Sequence, residues 1–332
     1  MKLKINQNVC KAVAILITVL LLLALFFSLL SKWEVRHGSV DSLEYGIADD
    51  GQIYLDGDCY VPNNELEVVL LIGVDKYISQ TQGESYNNSQ QADFLMLFIM
   101  DQKAETCTAL HLNRDTMTQI PVLGVRGENA GSITGQLALA HTYGSGRNDS
   151  CRNTVEAVSN LLYGIKIDHY IAFTMDAVAQ INDLAGGVTV TVLDDLTSVS
   201  PQMEKGSTIT LTGDMALSYV RTRYGLEDSS NLRRMERQRQ YLMELHNTLS
   251  TKIEANDVFI LETLDTLSPY MTSDCTANQL SQLFERWKLY TNRGILTIDG
   301  EAKVGEKFME FYPNETALKQ IVVNLFYVPL EE

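Results

Sequence analysis

"ADFLMLFIMDQKAETCTALHLNRD", from Ala92 to Asp115, holds two apolar runs joined by a short polar turn around Asp101 to Glu105. Apolar runs of this length, broken by a compact polar connection, read as an antiparallel hairpin. With the turn centred on residues 101–105, facing positions sum to about 206–208. Asp93, at the start of the first strand, then lies opposite the end of the second, near Arg114 and Asp115. The hairpin brings two carboxylates and a guanidinium to one edge of a sheet. Adjacent carboxylates repel, so such a pair shares a proton or binds a cation. A hard ion such as Mg2+ suits it, because it takes one or two carboxylates and fills its shell with phosphate and water. The plainer alternative is a pair of solvated strand-end residues.

The neighbouring segments build a sheet around that hairpin. "LEVVLLIGVD" (66–75) reads as a buried strand, and "IDHYIAFTM" (167–175) and "VTVTVLDD" (188–195) as two more. "NTVEAVSNLLYGI" (153–165) places Val155, Val158, Leu162 and Ile165 on one helical face. "DAVAQINDLAGG" (176–187) reads as a helix closed by glycine. Further on come a helix near 279–290, a strand "GILTI" and a last helix near 315–327. Strands alternating with helices predict a three-layer α/β domain, a central mixed β-sheet flanked by helices. Its core spans residues 66–250, with 251–332 as the C-terminal part of the same domain. Residues 32–65, polar and rich in turn signals, read as a stalk.

Six of the thirteen arginines lie between Tyr219 and Arg239, in a chain of formal net charge −16. That acidity excludes a general nucleic-acid binder, which needs a basic footprint. A short helix opening at Gly213 and Asp214 ends in Arg221 and Arg223, and a second starts near Ser230. On the second, Arg234, Arg237 and Gln238 share a face at i, i+3, i+4 spacing. Leu232, Met235, Leu242, Leu245 and Leu249 form a separate apolar stripe expected to pack inward. Arg233 and Arg239 are expected to point elsewhere. A guanidinium is a planar fork that matches phosphate oxygens, so several together suit a group of multiple charge such as a pyrophosphate. The alternative is a solvated face paired with Glu227, Asp228 and Glu236. A helix in "SITGQLALAHTYGSGR" carries Leu137 and His141 and ends at Gly144, aiming His141 or Arg147 at the site.

The N-terminus sets the compartment. Ala12 to Ser31 is uncharged, and twenty helical residues span roughly 30 Å, a bilayer core. Lys2, Lys4 and Lys11 precede it, against Lys32, Arg36 and Glu34 after it. The expectation is a cytoplasmic tail at 1–11, an uncleaved anchor at 12–31, and an extracytoplasmic remainder. Cys59, Cys107, Cys151 and Cys275 would then face an oxidising space, where four cysteines allow three disulfide pairings. The sequence holds no Walker loop, no Ser-His-Asp elbow and no Cys-x-x-Cys metal motif.

"VVLLIGVD", "ADFLMLF", "LHLNRDTMTQIP", "LALAHTYGSG", "LAGGVTVTV", "LTGDMALSYVRTRY" and "RRMERQRQYL", in that order, resemble the LytR-CpsA-Psr family of membrane-anchored enzymes that attach glycopolymers to the bacterial cell wall. The resemblance covers about residues 66–250 and is carried above all by "NRD" with "VRTR…R..RQ". It implies a phosphotransferase that moves a phospho-glycan from a polyprenyl-pyrophosphate carrier to a peptidoglycan hydroxyl. It implies that Asp93 and Asp115 hold Mg2+ and that Arg114, Arg221, Arg223, Arg234 and Gln238 grip the pyrophosphate, with the lipid tail in an apolar tunnel between sheet and helices. The family often has Arg-x-Ser-Asp-Thr where this chain has "QQADF", so Gln91, Ala92 and Phe94 depart from it, as does Asn113 in place of proline. These departures leave open a non-catalytic binder of lipid pyrophosphates or wall glycan, or a lipid-pyrophosphate hydrolase.

Overall fold

The computed structural model describes residues 45–47, 51–55, 57–75, 90–124, 128–144, 146–223, 231–256, 258–306 and 308–330. The expected anchor at 12–31 lies outside them. Among the described residues no helix is long and apolar enough to cross a membrane.

The stretch read as a stalk is folded in its later part. β1 (Tyr45–Ile47), β2 (Ile53–Leu55) and β3 (Asp58–Pro62) form an antiparallel sheet with the chain's last strand, Tyr327–Pro329. Ile53 and Leu55 are buried beside Val323, so alternating apolar residues between turn signals made strands there and not a free tether.

The central sheet takes in β4 (Leu66–Val74), β5 (Ala92–Asp101) and β6 (Thr106–Leu112). Leu95 faces Leu112 and Asp101 faces Thr106, the register that the polar turn dictates. A hairpin of β7 (Met117–Leu123) and β8 (Asn129–Gln136) follows, absent from the sequence reading. β9 (His169–Thr174) lies parallel to β4. β10 (Val188–Thr191) pairs with β11 (Thr208–Leu211). β12 (Met271–Ser273) is antiparallel to β9, and β13 (Thr291–Thr297) is parallel to β6. The sheet order is therefore β12-β9-β4-β5-β6-β13, with both strand directions mixed. β14 (Gly300–Val304) and β15 (Met309–Pro313) form a last hairpin before β16 (Tyr327–Pro329).

Strand periodicity sorts the residues between the two faces. Val68, Leu70 and Ile72 of β4 and Leu95, Leu97 and Ile99 of β5 pack with α1 (Arg147–Leu161) on one side. The last helix, Glu315–Phe326, adds Leu318, Val322 and Phe326 to that layer. Val69 and Met100 face the other way. There lie α2 (Asp176–Ala185), α3 (Gly213–Arg221), α4 (Asn231–Ala255), α5 (Phe259–Leu267) and α6 (Ala277–Leu289). Gly186 and Gly187 end α2 at φ of 79° and 95°, a left-handed exit that a Cβ would strain. The helix expected through Leu137 is a short 3-10 helix, Leu137–Tyr143. Leu232 is 40% exposed, so the inward stripe of α4 starts at Met235 and not at Leu232.

Candidate active site

Asp93 owes its direction to a β-bulge. Gly73 of β4 faces Phe94, but the next residue, Val74, faces Ala92, so Asp93 is the extra residue in β5. A bulge bends the strand and re-aims one side chain. Gly73 is required opposite it, since a Cβ there would lie 2.8 Å from Phe94 Cβ. Asp93 Oδ1 forms an ion pair with Arg114 Nη1 and lies 3.7 Å from Arg234 Nη1. The Asp93 carbonyl also accepts from Arg234 Nη2 at 3.3 Å.

Arg114 and Asp115 sit in the turn that ends β6, and Asn113 shapes that turn. Its Oδ1 accepts from the Asp115 backbone N–H (3.0 Å), and its carbonyl accepts from Thr116 Oγ1 (2.6 Å). The same Oδ1 accepts from Nδ2 of Asn231 (2.8 Å), the first residue of α4, which ties hairpin to helix. Arg114 Nε donates to Asp115 Oδ1 at 3.2 Å, and its Nη2 donates to Gln91 Oε1. Gln136 Nε2 donates to Asp115 Oδ1 (3.2 Å) and to the Met309 carbonyl (2.7 Å). Asp93 and Asp115 thus meet at one guanidinium, as the hairpin register predicts.

The helical arginines close over this edge. Arg234 is 3% exposed, and its Nη2 donates to Asn231 Oδ1 at 2.5 Å. Its Nε is buried with no hydrogen-bond partner among the described residues. Burial, then the charges of Arg223 and Arg114, push its pKa down to about 9. Burial also lowers that of Arg114, with Asp115 opposing and Arg223 adding to the fall. Arg223, half-buried just after α3, therefore stands near both. Arg221, the last residue of α3, is exposed and donates to Asp75 Oδ1 at 2.9 Å. Asp75, directly after β4, also acts electrostatically on Arg114. Four guanidiniums (Arg114, Arg221, Arg223, Arg234) face three carboxylates (Asp75, Asp93, Asp115). Like charges crowded in a desolvated place, with a donor unused, make a receptor for an anion.

Four expected participants stand elsewhere. Arg237 is wholly buried, and its Nε donates to the Tyr219 carbonyl at 2.9 Å. Its Nη1 and Nη2 bind the Asp194 carboxylate and the Thr222 carbonyl. It fastens the end of α3 to α4, and an anion in the site does not meet its fork. His141 is also fully buried. Its Nδ1 lies 3.0 Å from the Gln90 carbonyl, which can only accept, so Nδ1 carries the proton. Its Nε2 is 4.0 Å from Cys151 Sγ. His141 braces the approach to β5 instead of touching an anion. Gln238 donates to the Val220 carbonyl at 3.1 Å and lines the apolar groove described below. Arg147 is exposed at the start of α1. Arg233 does turn away, to Asp194 and Glu236. Arg239 is half-buried, and its charge acts on His111, which packs against Phe94 at 4.8 Å between ring centres.

Burial pushes the pKa of His141 down to about 4, the Gln90 bond opposing, and that of His111 to about 3 through burial, Arg239 and Arg234. The unfolded histidines titrate near 6.5, so below that pH the unfolded chain binds more protons than the folded one. Stability is expected to fall as pH drops from 6.5 toward 4. His141→Gln should flatten that slope in denaturant titrations across this range. An unchanged slope would contradict the buried neutral imidazole.

Behind the arginines runs an apolar groove. One cavity of about 220 Å³ begins at Gly73, Phe94 and Gln238. A second, of about 170 Å³, shares Leu71, Phe173, Leu267, Phe284 and Trp287 with it and reaches Met100 and Met271. The two adjoin along the sheet face under α4, α5 and α6. Free thiols are found at Cys59, Cys107, Cys151 and Cys275, with no disulfide among them.

The donor chemistry at Asp93 and Asp115 fits Mg2+. Both are hard oxygen donors that pair with the same guanidinium, Arg114, through Oδ1.

The arginines and carboxylates thus stand beside an apolar groove in an α/β domain with a central mixed sheet flanked by helices. The chain belongs to the LytR_cpsA_psr family, whose sequence profile matches residues 43–325. It is 32% identical over 173 residues to the polyisoprenyl-teichoic acid–peptidoglycan teichoic acid transferase TagU of Halalkalibacterium halodurans, covering 52% of this chain and 49% of that protein. It is 26% identical over 275 residues to TagU of Bacillus cereus, covering 82% and 81%. The chain thus spans about half the length of the first of these relatives. Among solved structures, it matches TagV of B. subtilis with a TM-score of 0.59 at 25% identity, covering 79% of this chain and 96% of that one. TagT bound to LI-WTA matches with a TM-score of 0.59 at 21% identity, covering 79% and 90%, a likeness of fold.

Proposed function

We propose that this protein transfers a phospho-glycan from a polyprenyl-pyrophosphate carrier to a hydroxyl of peptidoglycan. The observation that carries this reading is the buried Arg234, with its unused Nε, beside Arg114 and Arg223 at the mouth of the apolar groove. The relatives named as teichoic acid transferases support the same class. The pyrophosphate sits among Arg114, Arg221, Arg223 and Arg234, and the isoprenoid lies in the groove. The acceptor oxygen attacks the glycan-side phosphorus. The bond from that phosphorus to the bridging oxygen breaks, and polyprenyl phosphate leaves. The guanidiniums stabilise the negative charge that builds on the bridging oxygen, and they act strongly because the site is desolvated. Asp115, held by Arg114 and Gln136, orients the hydroxyl and takes up its proton. Asp93 and Asp115 would hold Mg2+, which when bound neutralises phosphate charge.

The groove gives a direct test. Leu245→Trp fills its wall and is expected to lower kcat/KM for a long polyprenyl carrier about tenfold or more. A carrier of one or two isoprene units should be used as well as before. An equal fall for both would remove the groove from the account.

The reading includes a bitopic protein with residues 12–31 in the membrane and the catalytic domain outside. A reporter fused after Trp33 is expected to be exported. A cytoplasmic reporter would sink the cell-wall assignment.

A further inference from the structure

The far end of the sheet holds a second cluster of chemistry-bearing groups. β12 runs antiparallel to β9 with Ser273 facing Ile171, so the next residues, Asp274 and Cys275, come beside Tyr170 and His169. The Tyr170 backbone N–H donates to Asp274 Oδ1 at 3.0 Å. Ser273 Oγ donates to the Tyr170 carbonyl (2.8 Å) and accepts from the Cys275 N–H (3.0 Å). These bonds fix the turn that leaves β12. His169 Nδ1 lies 3.6 Å from Asp274 Oδ1, and Cys275 Sγ lies 3.9 Å from that same oxygen. One ligand atom from each of the three residues falls within 4.8 Å of the others.

We infer that His169, Asp274 and Cys275 form a binding site for a borderline divalent cation of the zinc type. Tetrahedral Zn2+, with bonds of about 2.0–2.3 Å, places its ligand atoms about 3.4–3.6 Å apart. The observed 3.6 and 3.9 Å to the Asp274 oxygen need only a small closure, and the His169 and Cys275 ligand atoms, within 4.8 Å of each other, must close by up to about 1.3 Å. Nitrogen, sulfur and oxygen together suit zinc over Mg2+ or Ca2+, which select oxygen alone. An imidazole, a carboxylate and a thiolate carry a charge that balances Zn2+. Binding breaks the Cys275 S–H bond, and the proton goes to solvent. Three protein ligands leave the fourth position to water. No local motif announces the site, because its ligands come from the start of β9 and from the turn after β12, which meet only in the folded sheet.

The cluster lies at the His169 end of β9, away from Thr174, which lines the groove near the arginines. A cation there would clasp the short edge strand β12 to the sheet. It would also hold the start of α6, whose Phe284 and Trp287 wall the groove. The ion is therefore separate from any Mg2+ at Asp93 and Asp115.

The test is a titration of the untagged, chelator-stripped full chain with Co2+ alone. We expect one ion per chain, a sulfur-to-cobalt charge-transfer band and tetrahedral visible bands, all displaced by Zn2+. Cys275→Ser, nearly isosteric, should abolish the charge-transfer band. His169→Gln should weaken binding by more than the 10–100-fold typical of outer-shell partners. Cys59→Ser, at the other half-buried thiol, should change nothing. Zn2+ should raise the melting temperature of the parent protein and not of Cys275→Ser. A charge-transfer band that survives Cys275→Ser, or no saturable Co2+ binding by the folded parent chain, overturns the inference.

Discussion

Asp93→Asn is expected to remove transfer activity and to lower stability by about 3–5 kcal/mol, the cost of breaking a buried ion pair from one side. The carboxylate stands between Arg114 and Arg234, and asparagine keeps its shape without its charge. Two desolvated guanidiniums would then face each other with Arg223 close by. Pyrophosphate supplies the missing charge, so it should raise the melting temperature of the variant more than that of the parent chain. Urea unfolding and thermal melts with and without pyrophosphate read both effects. A variant of parental stability and turnover would show that the bulge at Asp93 has no part in the site.

Arg237→Met carries the second large expectation, and it separates two roles for neighbouring arginines. Arg237 joins the Asp194 carboxylate to the Tyr219 and Thr222 carbonyls in a place without solvent. Burial raises the Asp194 pKa, but the bonds from Arg233 and Arg237 outweigh it and hold the group below the usual carboxylate range. Methionine would leave these acceptors short of donors, at about 3–5 kcal/mol. The end of α3, which delivers Arg221 and Arg223, would loosen, and activity would fall through their misplacement. Arg233→Lys, at a partly exposed pair, should cost only about 0–1 kcal/mol. An Arg237→Met protein that is fully stable yet inactive would instead make Arg237 a direct ligand of the anion.

The hairpin was readable because its turn fixes the register, and register alone carries Asp93 to Arg114 and Asp115. The long helix α4 was readable from its period, but period does not say which polar residue faces the ligand. Arg234 and Arg237 differ by about 60° around the helix axis. That rotation points one at Asp93 and the other at Asp194, and only the packed position of α4 decides it. Gln136 escaped the reading because a neutral amide carries no chemistry of its own, and Gln91 had stood out only as a departure from the family pattern. Asn113 had stood out only as a departure from proline, yet its side chain joins the Asp115 turn to α4. Asp75 ended a strand already marked as buried, and its partnership with Arg221 depends on where α3 stops. The edge hairpins β7-β8 and β14-β15 were hidden by their polar residues. Met309 of β15 reaches the site through its backbone carbonyl, which no side-chain pattern reveals.

The central claim is attack on the glycan-side phosphorus of a lipid-linked pyrophosphate that the arginines hold. Its most direct test places a radioactive label on that phosphorus and supplies the purified protein with Mg2+ and peptidoglycan oligomers. The account predicts that the label becomes covalently attached to peptidoglycan, that unlabelled polyprenyl phosphate appears in equal amount, and that Arg234→Lys slows both by roughly ten- to a hundred-fold. A label that stays with the lipid as pyrophosphate, or that is released to water whether or not peptidoglycan is present, would contradict it.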